Sequence, residues 1–80
     1  MQEGLLWFDN NPQRTLIDKV TLAAKRYQTR FGQRPTICYL NTADCDTAVK
    51  EAKGIRLRTA PNILRHHLWI GVEPKRVKAS

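Results

Sequence analysis

No stretch of the chain approaches the roughly 18 consecutive apolar residues that a membrane span requires. The first residues, MQEGLLWFDNNP, lack the basic start and apolar core of a secretory signal. The expectation is therefore a cytoplasmic protein with no membrane association. Cysteine is nearly as scarce: Cys38 and Cys45 are too few for a disulfide framework and are expected to be reduced thiols. Glycine-rich phosphate loops, a Ser/His/Asp pattern and an H-E-x-x-H element are all missing. With 80 residues, a chain buries only about 60 to 65% of its unfolded surface. A deep enclosed site is not expected, and the chain reads as a non-enzyme without a cofactor.

Acidic residues are the most informative shortage. There are 7 of them against 14 Lys and Arg, a net charge of +7. Such an excess attracts nucleic acid, anionic membrane surfaces or acidic proteins. Between Asp18 and Asp44 there is no acid, while Lys19, Lys25, Arg26, Arg30 and Arg34 add positive charge. Between Glu51 and Glu73 the pattern repeats with Lys53, Arg56, Arg58 and Arg65.

A hydrophobic content of 41% is enough to fold one domain spanning residues 1–80, with 73–80 expected to be a flexible basic tail. Pro12 to Pro35 carries the clearest periodicity. At about 100° per residue, Leu16, Ile17, Val20, Ala23, Ala24, Tyr27 and Phe31 fall within an arc of about 120°, the width of a core-facing stripe. Asn11 and Pro12 suit a helix start, and Gly32 with Pro35 suits its end.

Thr36 to Leu40 reads as a strand, apolar on both faces and hence central. Asn41 to Lys53 reads as a second helix, with Asp44 and Asp46 in the first turn and Gly54 beyond the last. Ile55 to Thr59 alternates as a half-buried strand, and Ile63 to Val72 reads as a further extended segment, with a helix from Pro61 to Ile70 as the competing assignment. Gly4 to Phe8 is a short strand or an anchoring loop. The fold class implied is α+β: a small two-layer domain with a three- or four-stranded mixed sheet, one long amphipathic helix packed on it and a second short helix. Strands 36–40 and 55–59 would be parallel, with the last strand returning as an antiparallel hairpin.

The candidate nucleic-acid-binding residues are Lys19, Arg26 and Arg30, which line one flank of the long helix, with Arg56 and Arg58 on a strand face. Were that face on the same side, a groove able to follow a phosphate backbone would result. No helix-turn-helix, strand-borne aromatic pair of the RNA-recognition type or zinc-finger spacing accompanies them. The alternative function is a protein-interaction or homo-oligomeric assembly module presenting Trp7 or Trp69.

Cys38, Cys45, His66 and His67 lack the usual ligand spacing, so no metal site is assigned. Glu51-Ala52-Lys53 has the spacing of the E-x-K element of metal-dependent nucleases. It falls in the last turn of the predicted second helix, whereas that element needs a strand, and it reads as helix surface.

Overall fold

The structure is a computed structural model that describes residues 4–45 and 49–73. In chain order the elements are β1 (Gly4–Phe8), α1 (Leu16–Phe31), β2 (Ile37–Leu40), a 3-10 turn (Thr42–Asp44), β3 (Glu51–Ala52), β4 (Ile55–Thr59) and β5 (His67–Gly71). The five strands form one mixed sheet in the order β1-β5-β2-β4-β3. This is an α+β fold in which one helix packs on one face of the sheet.

The long helix forms as its periodicity dictates, but it starts later than Pro12. Thr15 is the N-cap: its hydroxyl accepts from the Asp18 N–H, and the Asp18 carboxylate accepts from the Thr15 N–H. That reciprocal capping box satisfies two N–H groups that the first turn leaves open. Asn11 instead accepts from the Gln13 N–H in the loop before it. At the other end Gly32 takes the left-handed conformation, φ 75°, and donates to the Gln28 carbonyl. Val20, Ala23 and Tyr27 are buried against the sheet. The small Ala23, fully covered at 0% exposure, lets the helix backbone approach the strands, and the larger neighbours each contribute roughly 1.5 to 3 kcal/mol of burial. Ile17 lies at the margin of the stripe and stays exposed.

β2 occupies the middle of the sheet, as its two apolar faces imply, and pairs in parallel with β4. The hairpin between β4 and the last strand does not form. β5 inserts between β1 and β2, antiparallel to both. Register then sorts every side chain. Leu5, Trp7, Leu68, Ile70, Cys38, Leu40, Leu57 and Ile55 turn toward α1 and build the core. Gly4, Leu6, Phe8, His67, Trp69, Gly71, Ile37, Tyr39, Arg56 and Arg58 turn to the opposite face, because alternate residues of a strand point to opposite sides.

The sheet thus has five strands where three or four were expected, and the second helix is replaced. Of the span read as that helix, residues 46–48 lie outside the described residues. Asn41 spends its side chain on the Ala43 N–H and the Ile63 carbonyl, which closes a single 3-10 turn. Asp44 accepts from Arg65 Nε at 2.8 Å and from the His66 N–H at 2.6 Å, so it clamps a distant turn and does not serve as a first-turn helix charge. Glu51 and Ala52 form a strand that hairpins onto β4. Lys53 and Gly54, read as the end of a helix, are its turn, with φ 50° and 82°. Both central residues at positive φ are what a tight two-residue hairpin turn demands. The predicted basic tail, residues 73–80, falls outside the described residues beyond Glu73.

Lysine tolerates the left-handed region poorly, whereas Asn visits it readily. Lys53→Asn is therefore expected to raise stability by several tenths of a kcal/mol in urea unfolding, with the midpoint moving up and the slope unchanged.

Candidate nucleic-acid interface

All five strands contribute to the face that α1 leaves uncovered. In register, Leu6, Trp69, Tyr39 and Arg58 form one row, and Gly4, Gly71, Ile37, Arg56 and Glu51 form the next. Phe8 and His67 form a third row beside them. The Phe8 and His67 rings lie 4.9 Å apart at 51°, and Tyr39 and Trp69 lie 5.8 Å apart at 47°. Both are tilted arrangements in the range that favours aromatic pairs. Leu6 and Phe8 are 59% and 55% exposed, while Trp69, Tyr39 and His67 are half-buried.

Trp69 owes its position to two glycines. A Cβ on Gly4 would lie 2.2 Å from indole Cζ2, and one on Gly71 would lie 2.6 Å from indole Cη2. Neither glycine has a positive φ, so neither is there for its backbone freedom. Their missing side chains leave the space that the indole fills, spread over the β1–β5 seam. Arg58 continues the row on the far side of Tyr39 and takes part in none of the ion pairs of the described residues. Arg56, two residues back on the same face, reaches Glu73 at 3.2 Å.

The basic residues singled out in the sequence are divided by the sheet. Arg56 and Arg58 lie on the open face with Trp69; Lys19, Arg26 and Arg30 lie on α1, across the sheet from them. Arg26 and Arg30 are exposed, the latter 5.8 Å from the Phe31 ring centroid. Lys19 is half-buried and lines a cleft of about 160 Å³ with Asp9, Leu16, Leu40, Asp44, His66, His67 and Leu68. A single groove combining the two sets is not what the strand register produces. Trp7 faces α1, packs on the core, and buries its Nε1 without a hydrogen-bond partner.

The cleft's carboxylates are structural. Asp9 is 6% exposed, and its carboxyl is held below the ordinary aspartate range by the Asn11 N–H, which with Arg14 outweighs the cost of burial. For Asp44, burial alone would raise the value, but the His66 N–H and Arg65 together bring it below the ordinary range.

Burial, reinforced by nearby Cys45, pushes the Cys38 thiol up to about 12, which favours its protonated form. Neither cysteine is in a disulfide. Among the described residues no three His, Cys, Asp or Glu side chains gather as metal ligands. Glu51 does lie on a strand, contrary to the helical reading, but it sits opposite Arg56 and Lys53 forms the turn.

The aromatic rows were missed in the sequence because they join residues from β1, β2 and β5. The signal that was present is the alternation of Gly4 to Phe8 and of His67 to Gly71, which gives each strand a second apolar or aromatic face. The chain matches no protein-family model, and comparison with curated proteins and with solved structures found no match.

Two expectations follow. Gly4→Ala places a methyl where the indole lies, so the ring must leave the sheet. In a Trp7→Phe background, Trp69 emission should shift to the red and be quenched more strongly by acrylamide than in the parent. The depressed carboxyls of Asp9 and Asp44 contribute stability that is complete above the unfolded-state value and is lost as pH falls through the folded-state value. Stability should therefore hold down to about pH 5 and fall steadily below about pH 4. Asp44→Asn should lower stability at neutral pH and shallow that acid decline in chemical unfolding curves.

Proposed function

We propose that this protein binds single-stranded nucleic acid on the open face of its sheet. The observation that carries the reading is the Trp69 indole spread over Gly4 and Gly71, next to Tyr39 and in one row with Arg58. Proteins that hold single strands combine aromatic side chains, on which bases stack, with cations that follow the phosphates. The exposed Phe8 with His67 supplies a second aromatic position on the same face, and the net charge of +7 draws a polyanion toward it. A solvent-facing sheet bearing aromatic rings suits splayed bases better than a duplex, whose bases are stacked inside.

The second reading is a protein-interaction surface, favoured by the exposed Leu6 and Phe8 on the edge strand β1. A second copy would bring one molecule of net charge +7 against another, which weakens the homo-oligomeric version.

Binding of a fluorescent single-stranded oligonucleotide at low salt tests the proposal. Trp69→Ala should weaken it by about 1 to 3 kcal/mol. The logarithm of affinity should fall against the logarithm of salt with a slope of about −1.5 to −2, as two to three phosphate contacts imply. No binding at 50 mM salt, or affinity unchanged in Trp69→Ala, sinks the reading. Saturable self-association lost on Leu6→Lys would favour the assembly alternative.

A further inference from the structure

His67 Nδ1 lies 2.9 Å from the carbonyl oxygen of Arg65. A carbonyl only accepts, so Nδ1 carries the hydrogen, and in the neutral ring the lone pair is left on Nε2. The ring makes no other hydrogen bond among the described residues. The carbonyl that sets this tautomer is itself held. Asp44 accepts from both Arg65 Nε and the His66 N–H, His66 is locked at φ 64°, and the Asp9 N–H donates to the His66 carbonyl at 2.9 Å. The ring plane is set by Phe8, 4.9 Å away across the β1–β5 pair. A fixed acceptor therefore stands beside an exposed aromatic ring on the face assigned to nucleic acid.

We propose that His67 is the specificity-determining residue of that face: its Nε2 accepts from the exocyclic amino group of a base resting against Phe8, selecting cytosine over uracil or thymine. The inference rests on the reading of the face as a single-strand site. Cytosine presents an N4 amino donor where uracil and thymine present an O4 acceptor. The first completes a hydrogen bond with Nε2; the second sets two lone pairs against each other. Because the tautomer is fixed before binding, the ring need not be reordered to make the choice.

Fluorescence anisotropy with oligodeoxycytidine and oligodeoxyuridine of about twelve nucleotides, at about pH 8 where an ordinary imidazole is neutral, separates the outcomes. The parent protein should prefer the cytidine strand by about three- to tenfold, the worth of one hydrogen bond. His67→Phe keeps an aromatic ring beside Phe8 and removes the acceptor. It should bind the uridine strand as the parent does and the cytidine strand no better. Should that variant fail to fold, His67→Gln, whose amide offers donor and acceptor alike, should lose the preference in the same way. Equal affinity of the parent for both strands, or a preference that survives in the folded variant, overturns the role of His67 while leaving Trp69-dependent binding intact. If neither strand binds the parent at low salt, the inference and the reading beneath it both fall.

Discussion

The placement of β5 is the constraint on which the rest of the structure depends. β1 joins the sheet only through β5, and β2 meets β1 only across it. The second strand position is therefore filled by residues 67–71, near the far end of the described chain. Until that segment arrives, the β1–α1–β2 unit has a gap where its centre should be. Pairing of this kind closes a long loop before it gains any contact, so sheet formation is expected to be slower than formation of the local helix. The payoff is compositional: HLWIG sends Leu68 and Ile70 into the core while His67 and Trp69 furnish the opposite face.

The helix was legible because its determinants are local. Stripe, Gly32 stop and basic flank all sit within one segment, and only the start was misplaced, where the Thr15–Asp18 box prevailed over Asn11 and Pro12. Ambiguity entered where one residue pair serves two geometries. Lys-Gly reads equally as a helix end followed by a left-handed glycine or as the turn of a hairpin, and the Glu51–Arg56 cross-strand pair that decides for the hairpin is visible only once the strands are paired. Asp44 misled in the same way. Its partners, Arg65 and His66, lie more than twenty residues onward, and nothing near Asp44 announces them. The aromatic face was least legible, since Phe8, Tyr39 and Trp69 become neighbours only through the order of the strands.

Scarce acid and abundant base take on a physical division of labour. Asp9 is tied to Arg14, Asp44 to Arg65 and Glu73 to Arg56, while Asp18 caps the helix. Most acids of the described residues are thus engaged in holding loops and ends. The cations are left in excess, and the sheet distributes them to two sides. Arg56 and Arg58 stand with the aromatic rows, and the helix carries its own set away from them. Those two sides need not serve the same partner.

The pairing of Gly4 with Gly71 has a consequence for how such a unit can be used. The chain enters and leaves the sheet side by side, with the two backbones about 5 Å apart. All of the sheet and helix therefore hang from a narrow neck. Spliced at that neck into a surface loop of another protein, the fold would demand almost no widening of its host. Joined there to itself, it could be reopened elsewhere, at an exposed turn such as Lys53-Gly54, without disturbing the strand order.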